Sequence, residues 1–251
     1  MKKLIASLVL AVLPAISLAS GAGVHLDHMK PDLHDKASLQ KGAALFTNYC
    51  MGCHSLKYAR YERIANDLGI SNELYEQNLM FGDAKIGELI NIAMPASNAK
   101  TWFGNPPPDL TLEGRLRGAD WLYTYLRAFY VDPSRPYGVN NAVFKDVGMP
   151  HVLAGLQGVC AHKPETGAEK KVDSLSGRIV SEGGCEEYLK EGSLSKKEYD
   201  ETVYDLVNFL VYMGEPSRLQ SERLGVYVLL FLAFLFVFVY FLNREYWKDV
   251  H

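Results

Sequence analysis

The stretch NYCMGCHSLKYARY, residues 48–61, sets two cysteines three positions apart and places a histidine directly after the second. The chain has four cysteines, so half of them are committed to this one short segment. C-x-x-C-H is the attachment motif of c-type haem, for a geometric reason. Two thiols add across the two vinyl groups of one porphyrin, and two intervening residues let a helical turn span them. The next residue, His54, is then held beneath the iron, where its imidazole serves as an axial ligand. A thioredoxin-like redox pair would follow a strand in a βαβ pattern, which the sequence lacks. A zinc site would need a second CxxC or an HxxxH to reach four ligands, and neither is present. The motif occurs once, so it predicts one haem c, attached covalently through Cys50 and Cys53.

Upstream of the motif, Leu39, Ala43, Phe46 and Cys50 recur at i, i+4, i+7 and i+11, with Ser38 as the expected N-cap. This helix delivers CMGCH at its end. Downstream, residues 95–109 hold four prolines and are expected to be neither regular helix nor central strand. Ala119 to Tyr130 is aromatic and helix-compatible, stopping before Asp132-Pro133. Residues 132–150 return to loop, and the polar Gly/Ser/Lys-rich stretch 161–184 reads as a surface insertion. Val203, Leu206, Val207, Leu210 and Val211 form one apolar helical stripe, ended by Gly214 and Pro216. Strand signals are few. The expectation is a mainly α fold with long loops, which a bulky apolar cofactor would help to pack.

An electron-carrying haem needs a sixth ligand. Met51 lies between the cysteines and cannot turn back to the iron. Met94 and Met149 both precede proline in loop sequence and are the two candidates that spacing leaves open. Met80 and Met213 fall in expected helices and read as core residues. His151 could replace methionine, but a histidine beside a loop proline is expected to be exposed.

The two ends fix the compartment. MKKLIASLVLAVLPAISLA, residues 1–19, has a basic start at Lys2 and Lys3, an uncharged run from Leu4 to Leu18 and a small-x-small exit at Ser17-Leu18-Ala19. That is the plan of a secretory signal peptide, and Pro14 argues against a membrane anchor. Leu224 to Asn243 holds 20 uncharged residues, which as a helix span roughly 30 Å, the thickness of a bilayer core. The expected plan is a signal peptide (1–19), an exported periplasmic haem domain (20–217), a transmembrane anchor (218–243) and a cytoplasmic tail (244–251) on a bacterial inner membrane. Basic residues flank both ends of the anchor, so the leader rather than the positive-inside rule sets its orientation. Without Lys2 and Lys3, 24 basic residues face 29 acidic ones, a net charge near −5. An acidic surface argues against nucleic acid and favours encounter with a basic soluble partner.

With these residues in place, the chain resembles the cytochrome c1 family, the haem subunits of cytochrome bc1 (ubiquinol–cytochrome c reductase) complexes. The resemblance covers nearly the whole mature chain. It rests on CHSLKYARY at 53–61, PPDLTLEGRLR at 107–117, GMP at 148–150 and NFLVYMGEPSRLQSERLG at 208–225, running into the C-terminal anchor. It implies a class I cytochrome c-like haem domain with long loops and insertions. By position, Met149 in GMP matches the family's axial methionine, which decides against Met94. Arg117 matches an arginine close to the haem propionates, and Asn105 to Pro108 match a loop over the haem edge. Gly42 and Phe46 are expected to contact the last soluble helix.

The remaining pair, Cys160 and Cys185, brackets the polar insertion in an oxidising compartment. Some bacterial relatives carry a disulfide here, and the loop it would close corresponds to about 3.5 kcal/mol of chain entropy. The resemblance further implies cytochrome b, a Rieske iron–sulfur protein and a soluble periplasmic cytochrome c as partners. No residue reads as bond-making, so catalysis would belong to the assembled complex. Two rivals remain: a cytochrome c subunit of a terminal oxidase or nitric oxide reductase, which usually carries an N-terminal anchor, and a haem-based sensor, which would want an open iron position.

Overall fold

The computed structural model describes residues 24–173, 177–181 and 183–248; the expected signal peptide lies outside them. In chain order the elements are α1 (Lys36–Leu45), a π-helical turn (Phe46–Cys50), β1 (Leu56–Arg60), α2 (Tyr61–Leu68), α3 (Asn72–Leu79), β2 (Leu89–Ile90) and α4 (Ala96–Phe103). Next come α5 (Glu113–Leu116), α6 (Ala119–Arg127), β3 (Phe129–Val131), β4 (Val139–Asn141), α7 (Ala154–Gln157) and β5 (Gly158–Cys160). The chain closes with β6 (Lys170–Val172), β7 (Ile179–Ser181), β8 (Tyr188–Glu191), α8 (Lys196–Gly214) and α9 (Arg218–Tyr246).

The centre of the domain is the crossing of α1 and α8. A Cβ at Gly42 would sit 2.5 Å from Phe209 Cβ and closer still to the Asp205 carbonyl oxygen, so only glycine permits this approach. One turn on, the rings of Phe46 and Phe209 lie 5.9 Å apart. The expected stripe on α8 faces this core, with Val203, Leu206, Val207 and Leu210 all buried. The helix is longer than its stripe suggests. Ser195 and Glu198 form a reciprocal capping box at its start, and Pro216 lies just past its end. A second glycine, Gly114 of α5, presses on the backbone of Leu210 and Val211 from another side.

Ser38 does not cap α1. Asp35 does, accepting from the Ser38 backbone N–H at 3.0 Å. The Ser38 hydroxyl is buried and donates to Asp205 at 2.6 Å, a tertiary bond that outweighs its capping preference. The proline-rich segment 95–109 contains a helix after all, α4. Its prolines bracket the helix: Pro95 is the N-cap, and Pro106 to Pro108 follow Gly104, which closes α4 with φ +82°. The aromatic segment leaves helix at Arg127, and Phe129–Val131 pairs with Val139–Asn141, inside a stretch expected to be loop.

Strands are short and occur as antiparallel pairs: β1–β2, β3–β4, β5–β8 and β6–β7. Most of those described run two or three residues, too short for an alternating pattern to show in sequence. The insertion also differs from a plain surface loop. The β6–β7 hairpin is tied back to the N-terminal segment through a bridge between Met29 and Val180, and Met29 is fully buried there. Cys160 and Cys185 form a disulfide, with Cα atoms 5.7 Å apart.

One buried ion network joins these parts. Arg127, 1% exposed, grips Asp200 with two N–H bonds of 2.7 and 3.1 Å and Asp27 with a third of 3.0 Å. It also donates to the Gly183 carbonyl, and its guanidinium lies 4.2 Å over the Tyr123 ring. Such a fork satisfies a buried carboxylate of the N-terminal segment and a half-buried one of α8 at once. Beyond Pro216, α9 runs for 29 residues with mean hydropathy 2.7 over its most apolar window and no burial. It is the one helix among the described residues long and apolar enough to cross a membrane, and it contains the expected span 224–243.

Two outcomes follow from this packing. Gly42→Ala forces α1 off α8 and costs about 2–3 kcal/mol in denaturant unfolding, whereas Gly87→Ala, which meets no atom within 4 Å, leaves the midpoint unchanged. Arg127→Met strands Asp27 as a buried charge and Asp200 as a half-buried one, and destabilises by about 3–5 kcal/mol; Arg127→Met combined with Asp200→Leu recovers part of that loss.

Candidate functional site

The turn Phe46–Cys50 is where α1 hands over to the motif. Met51 N–H donates to the Phe46 carbonyl at 2.9 Å, the i→i+5 bond of a π-turn. Cys53 and His54 N–H groups then both donate to the Cys50 carbonyl, at 3.0 and 2.9 Å. The two thiols and the imidazole are thus carried by one tight turn at the end of a buried helix. Burial, with Cys53 nearby as a lesser cause, pushes the Cys50 thiol up to about 12.

His54 is buried, and its Nδ1 lies 2.7 Å from the Pro108 carbonyl oxygen. A carbonyl can only accept, so Nδ1 carries the hydrogen and Nε2 keeps its lone pair. Burial lowers the His54 pKa, with the Pro108 bond opposing it, and favours the neutral ring. A neutral imidazole whose far nitrogen is fixed by a carbonyl is the form a metal ligand takes.

A single cavity of about 350 Å³ gathers Cys50, Cys53, His54, Asn105, Pro108, Arg117 and Met149, although they come from four separate stretches of chain. Its volume falls in the roughly 300–1,000 Å³ range of small-molecule and cofactor sites. The walls are mostly apolar: Leu206 and Leu210 of α8, Leu122, Leu126 and Trp121 of α6, and Val147, Pro150 and Val152 of the Met149 segment. An apolar chamber fed by two thiols, an imidazole Nε2 and a thioether fits a haem c by the chemistry of its donors. Met94 is not among the lining residues. Met80 sits at the end of α3, and Met213 is buried in α8.

His151 differs from expectation. It is half-buried, its ring stacked 4.8 Å from Phe129 and nearly parallel to it. Burial pushes its pKa down to about 4. The β3 strand that Phe129 begins places an aromatic face beside the Met149 segment, which the sequence around Pro150 does not reveal.

Arg117 has its guanidinium 4.7 Å over the Trp121 ring and its Nε 3.4 Å from Glu113. Trp121 stacks on Tyr125 at 4.8 Å and 10°, and Tyr125 meets Phe129 edge-on at 5.3 Å. Both Trp121 and Tyr125 line the cavity, and neither was singled out from sequence. Trp121 and Tyr125 stand four residues apart within the aromatic helical segment, a spacing that puts them on one helical face.

The model of the Cytochrome C1 family matches residues 28–85 and 83–250. The chain is 53% identical to a cytochrome c1 of Allochromatium vinosum, with both chains covered in full. It is 42% identical to an ammonia monooxygenase gamma subunit of Nitrosomonas europaea over 99% of this chain and all of that one. It is 26% identical to a cytochrome b/c1 of Bradyrhizobium diazoefficiens, covering 86% of this chain and 34% of that longer one. With the family matched along almost the whole of the described chain and an apolar cavity holding its donor set, this protein belongs to the cytochrome c1 family, as a haem-bearing electron-transfer subunit with a C-terminal membrane helix.

Proposed function

We propose that the chain is the mono-haem electron-transfer subunit of a cytochrome bc1 complex. In this reading it accepts electrons from a Rieske iron–sulfur protein and passes them to a soluble periplasmic cytochrome c. The observation that carries it is the convergence of CMGCH and Met149, distant in sequence, on one apolar cavity. The occurrence of cytochrome b and c1 in the name of the longer Bradyrhizobium relative supports cytochrome b as a neighbour of α9. The leader at 1–19 supports an exported haem domain, with the residues after α9 in the cytoplasm.

Haem c supplies a one-electron iron centre. Cys50 and Cys53 would anchor it through thioether bonds, and His54 would present Nε2 because Pro108 holds Nδ1. Met149 offers a soft, neutral sulfur that favours ferrous iron, raising the potential over an open or bis-histidine site. Arg117 has guanidinium N–H groups beyond the one facing Glu113, and these would be free to pair with propionate carboxylates. Asn105 to Pro108 line the cavity and would cover the haem edge, and the Pro108 carbonyl doubles as the brace for His54. Leucines and valines from α6, α8 and the Met149 segment exclude water, which limits reorganisation around the iron.

Two measurements test this. Acid–acetone treatment of the unfolded protein leaves the haem on the polypeptide, one per chain, and Cys53→Ala leaves at most one thioether; complete extraction from the intact sequence overturns the attachment. Met149→Leu removes the sulfur-to-iron charge-transfer band at the red edge of the ferric spectrum and lets carbon monoxide bind the reduced iron. It also lowers the potential by hundreds of millivolts, within the roughly 0.8 V that axial ligation spans. Met94→Leu leaves all three unchanged, and the reverse pattern would move the ligand to Met94.

A further inference from the structure

We infer that Tyr125 is a positioning residue acting through Met149: its phenol O–H donates to the Met149 sulfur and tunes how strongly that sulfur gives electron density to iron. The inference rests on Met149 being an axial ligand. Tyr125 Oη lies 3.4 Å from Met149 Sδ, with the hydroxyl as donor and the thioether as acceptor. A thioether sulfur has two lone pairs, so one can meet the iron while the other keeps the hydroxyl. Both residues line the cavity.

The phenol has little freedom to leave this contact. Its ring lies between Trp121, stacked at 4.8 Å, and Phe129, edge-on at 5.3 Å. The end of α6 that carries it is pinned by side chains from three other elements. Asn141 donates to the Tyr125 carbonyl at 2.8 Å, Tyr199 to the Leu126 carbonyl at 2.8 Å, and Gln157 to the Arg127 carbonyl at 3.1 Å. These bonds satisfy carbonyls that a helix end leaves without partners. They also fix the height of the Tyr125 ring above the Met149 segment.

The sign of the effect follows from charge. Ferric iron draws more density from the sulfur than ferrous iron does. A hydrogen bond to the sulfur competes for that density, so it disfavours the ferric state and raises the potential. Tyr123, two residues earlier, is an internal contrast: it is fully buried where Tyr125 is half-buried, its hydroxyl has no partner among the described residues, and it does not line the cavity.

The test uses the full-length membrane protein with its haem, comparing Tyr125→Phe, Tyr123→Phe and Met149→Leu at equal haem content. In Tyr125→Phe the ring remains and only the hydroxyl is lost. The sulfur-to-iron band persists, the ferric iron exchanges methionine for added imidazole about fivefold less favourably, and the potential falls. One neutral hydrogen bond is worth about that fivefold ratio, which for one electron is about 40 mV. Tyr123→Phe moves neither quantity. The inference is overturned if Tyr125→Phe leaves the potential unchanged, raises imidazole affinity, abolishes the band, or shifts no further than Tyr123→Phe. Failure of the ligand assignment is distinct: the band would then survive in Met149→Leu.

Discussion

The close approach of α1 to α8 at Gly42 is the contact on which the other parts depend. Because no side chain separates the two backbones there, Phe46 packs directly on Phe209, and the π-turn after it carries Cys50 and Cys53 into the cavity. The same helix α8 supplies Leu206 and Leu210 to the cavity wall and accepts Gly114 of α5 on another side. A wider spacing at Gly42 would move the thiols relative to the wall and to Met149 together. Close packing transmits such shifts, since interiors have little slack.

A second constraint comes from charge rather than shape. Arg127 and Asp27 are buried and Asp200 half-buried, well away from CMGCH in sequence, yet they lock the N-terminal segment, α6 and α8 into one unit. A buried ion set adds little net stability over apolar packing, but breaking it is costly, so it specifies one arrangement. Arg127 also closes α6, and the carbonyl caps from Asn141, Tyr199 and Gln157 gather at the same place. The face of α6 with Trp121 and Tyr125 is therefore held in register with the cavity from its far end.

The membrane end follows a different logic. Helix α8 stops beside Pro216 and α9 begins at Arg218, so the soluble core and the apolar helix are separated by very few residues. A short connection limits how far the domain can move from the bilayer surface. With α9 bearing no burial of its own, its apolar faces are left for lipid and for partner helices.

The sequence by itself determined the cofactor class, the anchor and the last soluble helix. Each depends on local pattern: CMGCH on adjacency, Leu224–Asn243 on an unbroken apolar run, and α8 on a stripe at helical period. Tertiary structure decided what adjacency cannot carry. Ser38 looked like a cap, but a buried acceptor on α8 claimed its hydroxyl. Residues 95–109 looked irregular because proline count hides that the prolines flank a helix rather than interrupt it. His151 beside Pro150 looked exposed until Phe129 covered it. Spacing left Met94 and Met149 equal and the family resemblance chose Met149; the folded chain sets Met149 at the cavity under a tyrosine hydroxyl, and Met94 is not among the lining residues. The reason is common to all of these. Local pattern states what a segment can be, while the partner that selects among those states arrives from a distant part of the chain.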